Sequence, residues 1–360
     1  MLKKIDWYII KQLLATFFLA IALIILIVIV FDISEKLDDF LEREAPMKAI
    51  IFTYYVNFIP YFVNLFGHLF FFIAVIYLSS RMAARTEIIA ILSSGVSFKR
   101  FLRPFLLSSI LIAAINIYLT NILIPQVNKP RIEFEKVYWR NPYKNQLMNI
   151  HIQTDRNNLV YVQSFNNLNS TGYRFTKETF NNKNVLTKKI SADNIIYDSI
   201  KKDWTLVNYS IREINGLKEN LIVGDSMKMD LKMKPSEFNI NTAKVETMTF
   251  SELNDFIKRE RLRGSKDINN YLIEKYQRLI NPLAYIVLTL IGVSLSSRKT
   301  RGGTGMHLAA GITLAFAFIM MMKVTSVFSI KGNLPPIVSV FIPIIFFTFI
   351  GLYLLKKAPK

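Results

Sequence analysis

Few side chains of this 360-residue chain are of the types that carry out catalysis or bind metals. The chain has no cysteine, which excludes thiolate catalysis, disulfides and cysteine-ligated zinc or iron–sulfur centres. Its three histidines, His68, His151 and His307, are far apart in the sequence. The phosphate-binding P-loop and the motifs of zinc peptidases and serine hydrolases are also absent. We therefore expect a chain without catalytic residues, without a metal site and without a cofactor of its own.

The remaining candidates for functional residues are ionisable residues in or beside long apolar stretches, because ionisable groups within a membrane are often functional. Asp32 follows the first stretch and precedes Asp38 and Asp39, His68 lies within the second, and Lys323 ends the fifth. The acidic segment is either a solvated helix end or a helix that contacts substrate headgroups through divalent cations. His68 either contacts a substrate or bonds to a neighbouring helix. Lys323 either contacts a substrate or extends its ammonium group to the membrane surface.

The composition is that of a membrane protein. Hydrophobic residues make up 52% of the chain, phenylalanine alone occurs 28 times, and 20% of the residues are charged. For a soluble protein, the formal net charge of +19 would suggest a nucleic-acid partner. Here the apolar residues form long uninterrupted runs, so we predict a membrane protein that has no nucleic-acid partner.

Six stretches without Asp, Glu, Lys or Arg are each long enough to cross a bilayer as a helix, which takes about 20 residues. They are residues 13–31, 49–80, 104–128, 279–297, 302–322 and 332–355. Pro60 predicts a kink in the second span. The first stretch is longer than the apolar part of a usual signal peptide, and no cleavage site follows it, so we expect it to remain as a span.

Lysine and arginine are concentrated in the short loops on one side of the predicted spans, and such loops face the cytoplasm. The basic residues of these loops are Lys3, Lys4, Lys11, Arg81, Arg85, Lys99, Arg100, Arg103, Arg298, Lys299, Arg301, Lys356, Lys357 and Lys360. Their acidic residues are Asp6 and Glu87. Both termini are therefore predicted to be cytoplasmic, and residues 129–278 to lie outside.

This outside region is long enough for a small domain. Its predicted strands, which alternate apolar and polar residues, are residues 149–153, 159–165, 173–180, 185–197, 204–214 and 225–233. We predict an all-β domain, a sandwich or jelly roll, with helices at both ends. One of these helices continues the third span through Phe134 and Val137, and another runs from Asp267 straight into the fourth span.

The predicted fold class is thus a polytopic α-helical membrane protein. Six transmembrane helices, three before and three after, flank an inserted all-β domain that is jelly-roll-like. The corresponding domain limits are residues 1–128, 129–278 and 279–360.

A short amphipathic helix is predicted between the second and third spans, at about residues 84–95. Thr86 can start this helix, and Gly95 can end it with a positive φ. Its apolar stripe at helical spacing consists of Ile88, Ile91 and Leu92. One interpretation is a helix that inserts into a groove on a partner protein, where Glu87 meets a basic residue. The other is an interfacial helix that rests on lipid headgroups.

Small residues recur every four positions along the fifth span. One series consists of Ala309, Thr313 and Ala317, and the other of Gly311 and Ala315. Such faces permit close packing of helices in membranes. We predict that they form a seam with another subunit or within the chain.

Short motifs are distributed along the whole chain. They are residues 5–9, residues 85–97, residues 195–198 with 204–206, Lys234-Pro235-Ser236 ahead of residues 248–253, residues 278–284 and residues 332–336. In their order and spacing they resemble the LptF/LptG (YjgP/YjgQ) family of lipopolysaccharide-export permeases. The opening Asp6-x-Tyr8 and the segment Glu35-Lys36-Leu37 look more like the LptG type than the LptF type.

The resemblance implies a set of partners. Two permeases of the family pair above a cytoplasmic ABC ATPase dimer of the LptB type, which binds ATP and Mg²⁺. A periplasmic bridge of LptC-like and LptA-like proteins joins the β domain and receives lipopolysaccharide. The family places these permeases in the bacterial inner membrane.

The resemblance also assigns roles to residues. The segment with Arg85, Glu87 and Gly95 matches the helix that couples the permease to the ATPase, which makes the stripe Ile88, Ile91 and Leu92 part of the coupling site. Spans one and five line the lipid cavity, and the candidate cavity or gate residues are Phe31, Asp32, His68 and Lys323. Better-known members of the family carry basic residues at the end of span one. This chain has Asp32, Asp38 and Asp39 in that region. Either the cargo is differently charged, or a divalent cation intervenes.

We therefore predict a non-catalytic permease subunit that extracts lipopolysaccharide from the inner membrane, with ATP hydrolysis in a separate chain. The alternative is a membrane sensor or scaffold whose β domain binds an envelope ligand. A secondary transporter fits poorly, because inverted repeats with broken helices in mid-membrane are not evident in the sequence.

Overall fold

The computed structural model describes residues 3–139, 148–166, 169–199, 203–231, 233, 235, 245–262, 264–265, 267–299 and 302–358. The predicted loop residues Arg301 and Lys360, and the motif residues Lys234 and Ser236, lie outside the described residues. The chain divides into two compact units. The helical unit comprises Met1–Trp139, Glu246–Ser251 and Asn269–Lys360, and the sheet unit comprises Arg140–Val245 and Glu252–Ile268.

Long helices form most of the first unit. In chain order, the described helices are α1 (Lys4–Glu42), α2 (Val56–Ala84), α3 (Glu87–Ser93), α4 (Phe98–Tyr118), α5 (Ile124–Tyr138), α6 (Phe250–Leu262), α7 (Ile268–Ile280), α8 (Leu283–Ser296), α9 (Gly303–Lys331) and α10 (Pro336–Lys357). Two π-helical segments, Ala49–Tyr55 and Leu119–Leu123, lead directly into α2 and α5.

Five helical segments of the described residues are long and apolar enough to cross a membrane. They are Lys4–Glu42, Ala49–Ala84, Phe98–Tyr138, Gly303–Lys331 and Pro336–Lys357. These segments contain the first, second and third predicted spans and nearly all of the fifth and sixth, which begin one and four residues later than predicted, so spanning helices at those places are confirmed. The helix of the third span continues through Phe134 and Val137, as predicted, and α2 passes through Pro60 without a break.

The fourth predicted span is the exception, and our expectation of a straight helix from Asp267 is wrong. The chain bends by 54° between α7 and α8. Pro282 lies at the break, where it has no N–H to donate and its ring crowds the carbonyl of Arg278. With 14 residues, α8 alone is about 21 Å long, which is less than a bilayer core of about 30 Å. A sixth span therefore exists only if α7 and α8 together form one bent span.

Two apolar clusters hold the helical unit together. The first joins α1, α2, α3, α4 and α8, and the second joins α2, α7, α8, α9 and α10. Gly292 lies where α8 approaches α2, and a Cβ atom built on it would lie 2.9 Å from Val75 Cγ1 and 3.1 Å from Phe72 Cε2. Only a residue without a side chain fits this contact unless α2 and α8 move apart.

The second unit contains a six-stranded antiparallel sheet. Its strands are β1 (Met148–Asp155), β2 (Asn158–Asn166), β3 (Thr171–Phe180), β4 (Leu186–Asp198), β5 (Asp203–Asn215) and β6 (Lys218–Met229). Each strand pairs with its neighbours in sequence. The prediction of an inserted all-β domain is confirmed. The described strands form one meander, whereas a jelly roll contains crossover connections.

Tight turns explain why consecutive strands pair. Between β1 and β2, the Asp155 carboxylate accepts hydrogen bonds from the Asn157 backbone N–H at 3.0 Å and from Asn158 Nδ2 at 2.8 Å. The backbone hydrogen bond of Asn157 is the main cause that lowers the pKa of Asp155 below its usual 3.8, and the bond from Asn158 adds to it. Between β5 and β6, Gly216 has a φ of 66°, a conformation that glycine adopts without strain.

One apolar cluster forms the core of the sheet unit. Its fully buried members include Val162, Phe175, Ile195, Trp204 and Leu206. The indole N–H of Trp204 donates to the carbonyl of Met233 at 2.9 Å, so the segment after β6 returns to this core. The sixth strand was predicted at residues 225–233. In the structure, β6 ends at Met229, so only the first part of the predicted segment belongs to the strand.

Gly292→Leu is expected to destabilise the helical unit, because the new side chain overlaps Val75 and Phe72. Overpacking of this kind costs about 1–3 kcal/mol. Thermal unfolding of the purified protein in detergent measures the change. Gly305→Leu is the matched control, since a Cβ atom at Gly305 meets nothing within 4 Å. Equal melting temperatures of the two variants would contradict the close contact between α2 and α8.

Candidate functional site

The helix predicted between spans two and three is present as α3, which is shorter than predicted. Thr86 precedes it with φ 63° and ψ 7°, and its hydroxyl donates to the Arg85 carbonyl at 2.6 Å, so its side chain does not cap the helix. Gly95 ends the segment with φ 84°, the left-handed conformation that was predicted. The chain thus turns sharply on both sides of α3 and positions it between α2 and α4.

The apolar stripe of α3 faces the core of its own chain. Ile88 is 1% exposed and belongs to the same cluster as Met82 of α2 and Phe101 of α4. Ile91 and Leu92 are half-buried and pack against this cluster. Ile88 therefore packs within its own chain, because the turns at Thr86 and Gly95 fold the apolar face inward, and its part in a coupling site stays a prediction.

The opposite face of α3 is open. Ile89 is 57% exposed, and Arg85 and Ser93 lie four residues to either side of it and are also exposed. Glu87 is half-buried and forms no ion pair with any described residue. The open face of α3 therefore carries an exposed isoleucine. Ile89 was not among the predicted site residues, although it lies on the polar side of the predicted stripe, where an apolar residue is unusual.

An ion pair between a buried carboxylate and a partly exposed guanidinium joins the N-terminal ends of α1 and α4. Arg100 Nη1 and Nη2 donate to the two carboxylate oxygens of Asp6 at 2.7 and 2.5 Å. The Lys3 backbone N–H donates to the same carboxylate at 2.7 Å. Asp6 is buried, and a two-pronged guanidinium bond of this geometry holds its partner in one orientation.

The small residues of α9 form two faces with different surroundings. Gly311 and Ala315 are buried, and Gly311 packs directly on Ile76 of α2, so this face is a seam within the chain. The face with Ala309, Thr313 and Ala317 is exposed. A seam with another subunit at this exposed face stays a prediction.

Broad apolar surfaces on α1 and α9 are uncovered. The exposed side chains of α1 include Phe18, Leu19, Leu23, Leu26, Ile27, Val30 and Phe31, and those of α9 include Ile312, Phe316, Met320, Val324, Val327 and Phe328. Phe31 is 71% exposed. Lys323 is also exposed, within a helix that continues to Lys331. These two predicted residues thus lie on outward surfaces.

Asp32, in contrast, is enclosed by side chains of its own unit. Its carboxylate accepts hydrogen bonds from Lys36 Nζ at 2.5 Å and from the Tyr55 hydroxyl at 3.0 Å. Lys36 is buried, donates to the Tyr54 hydroxyl and lies 3.9 Å from the ring centre of Trp139. The Asp32 carboxylate is thus neutralised within its own unit, whereas Asp38 of the same acidic segment is exposed, so the two interpretations of that segment stay predictions. The spacing of four residues between Asp32 and Lys36 was the signal in the sequence.

His68 lies inside the helical unit. It lines a cavity of about 160 Å³ together with Tyr61, Asn64, Asn116 and Asn281, and Phe31, Asp32 and Lys323 do not contribute to this cavity. Its buried Nε2 has no hydrogen-bond partner among the described residues. The structure therefore does not bring the four predicted cavity residues into one site.

Asp6→Asn is expected to lower the free energy of unfolding by about 1–3 kcal/mol, since it removes the charge that Arg100 pairs with, and Arg100 is partly exposed. In combination with Arg100→Gln, the two losses should be clearly less than additive, as for residues in direct contact. Melting temperatures in detergent measure these effects. Asp38→Asn, at an exposed position of the same helix, is the control and should change little. Additive losses would show that the pair does not hold α1 to α4.

Comparisons with known proteins agree with this arrangement of helices and sheet. The family model of the lipopolysaccharide export system permease LptF/LptG matches residues 7–357. The lipopolysaccharide export system permease protein LptG of Escherichia coli K12 is 22% identical over 207 residues, which cover 56% of this chain and 56% of that protein. LptG of Escherichia coli O6:H1 matches with the same identity and coverage.

The match with these relatives spans somewhat more than half of their length. The family model, in contrast, extends from the start of α1 to the last residue of α10 and includes the sheet unit. A membrane protein with this sequence and this order of elements belongs to the LptF/LptG family of permeases.

Proposed function

We propose that this chain is the transmembrane permease subunit of an ABC-type exporter, which extracts lipopolysaccharide from the bacterial inner membrane and passes it to a periplasmic bridge. The observation that carries the proposal is the family match over residues 7–357. The two curated relatives are LptG proteins, which supports the LptG-type role that the opening motif suggested.

The energy for transport comes from a partner. Because the sequence has no P-loop, ATP and Mg²⁺ are bound by a separate cytoplasmic ATPase dimer of the LptB type. The open face of α3, with Ile89 and Ser93, docks on this ATPase together with Arg85, which precedes the helix, and Glu87 at the start of α3 meets a basic residue there. Since the opposite face of α3 is part of the core shared by α1, α2 and α4, a displacement of α3 is passed to these helices.

The exposed apolar faces of α1 and α9 provide the transport surface. A second permease of the family faces them, and the two chains enclose a cavity for the acyl chains of lipopolysaccharide. Of the four predicted cavity residues, Phe31 and Lys323 lie on this surface. The Lys323 ammonium group supplies a positive charge for a lipid phosphate.

The distribution of lysine and arginine supports cytoplasmic termini and a periplasmic sheet unit. Within the described sheet, β6 is an edge strand, and its Leu221, Ile222 and Val223 are exposed. An exposed edge accepts a strand from another protein through backbone hydrogen bonds. A bridge protein of the LptC or LptA type is the partner that we propose for this edge.

Glu87→Ala is expected to leave the protein in the membrane and to abolish or strongly reduce the co-purification of the ATPase. The protein should stay in the membrane because Glu87 is free of ion pairs among the described residues, so its loss costs this chain little stability. The ATPase should be lost because the substitution removes the carboxylate that we propose meets its basic residue. Pull-down of the detergent-solubilised complex and release of lipopolysaccharide from proteoliposomes are the two readouts.

Glu133→Ala, at an exposed acidic position on α5, is the control and should retain both ATPase binding and transport. Normal ATPase binding and normal transport by Glu87→Ala would overturn the coupling role. Absence of any ATPase from the wild-type complex would favour the alternative, a sensor or scaffold that binds an envelope ligand through its β domain.

A further inference from the structure

A large groove lies between the start of α4 and the end of α10. Its volume is about 1010 Å³. Its lining residues are Ser97, Phe98, Lys99, Phe349, Leu352, Tyr353, Leu355, Lys356 and Ala358. All of them belong to the helical unit.

The groove is apolar along its length and basic at one end. Phe349, Leu352 and Tyr353 are exposed on α10, and Phe98 is buried at the other side of the groove. From Phe349 to Lys356 the helix rises about 10 Å, so the apolar wall extends well into a spanning segment. A molecule that binds along this wall must itself be apolar over the same depth of the membrane.

Among the described residues, no acidic side chain neutralises the basic end. Lys99 and Lys356 are exposed and form no ion pair with any described residue. The acid that follows the N-terminus, Asp6, is already paired with Arg100. Lys357 stacks on the Tyr353 ring at 4.6 Å, and tyrosine and lysine together are typical of the membrane–water interface.

We propose that this groove binds an anionic phospholipid, with an acyl chain along Phe349, Leu352 and Tyr353 and the phosphate between Lys99 and Lys356. Basic pockets between spanning helices recognise anionic headgroups in this manner. The first-turn N–H groups of α4, which begins at this rim, add to the positive potential. A water-soluble domain of a partner protein could pair with the lysines, but it would not cover the apolar wall within the spanning segment. A lipid accounts for both the basic end and the apolar wall of the groove.

The test is a titration of the purified full-length protein with phosphatidylglycerol and with phosphatidylcholine of identical acyl chains, in which bound lipids are counted by native mass spectrometry. The wild type should bind phosphatidylglycerol more tightly. Lys99→Gln and Lys356→Gln should each weaken this binding about fivefold and leave phosphatidylcholine binding unchanged. Leu352→Trp, which fills the groove, should weaken the binding of both lipids.

Lys331→Gln, which changes an exposed lysine outside the groove, is the matched control and should retain the preference. Melting temperatures establish that the variants are folded. Equal affinity of the wild type for both lipids, or an unchanged preference in the double variant Lys99→Gln/Lys356→Gln, would overturn the proposal. Loss of ATPase binding with unchanged phosphatidylglycerol binding in that variant would assign the lysines to a protein partner and would likewise overturn it.

Discussion

The inward burial of Ile88 is the interaction on which the proposed mechanism depends. This side chain places α3 in the core of α1, α2 and α4, so that the short helix is part of the bundle and not an appendage of it. A helix of seven residues is not stable by itself, and tertiary packing supplies what its own hydrogen bonds do not. The consequence is that the open face of α3 is held rigidly, which is what a partner needs in order to move the bundle.

Paired charges hold the two ends of α1 in place. Ions are costly in an apolar environment unless they are paired and hydrogen-bonded. Asp6 is paired with Arg100, and Asp32 is paired with Lys36 and bonded to Tyr55. Both ends of α1 are thereby attached to neighbouring helical segments, while many apolar side chains between them remain exposed.

Sequence periodicity and residue type predicted the spans, the helix at α3 and the inserted β domain because these depend on local patterns. The bend at Pro282 was not predicted, since Pro60, Pro104 and Pro343 lie inside continuous helices and a proline alone does not decide between the two outcomes. The environment of Asp32 depends on Tyr54, Tyr55 and Trp139, which are brought to it only by packing. The inward direction of Ile88 likewise depends on the turns at both ends of α3.

The most direct test of this account is the amount of lipopolysaccharide released per ATP hydrolysed in proteoliposomes that contain the assembled exporter, compared between Ile88→Ala and Ile89→Ala. Ile88→Ala creates a cavity under α3 and leaves its open face intact, so ATPase binding should persist while the ratio falls. Ile89→Ala should weaken ATPase binding and leave the ratio of the assembled complexes unchanged. An unchanged ratio for Ile88→Ala would contradict the transmission of force through the inner face of α3.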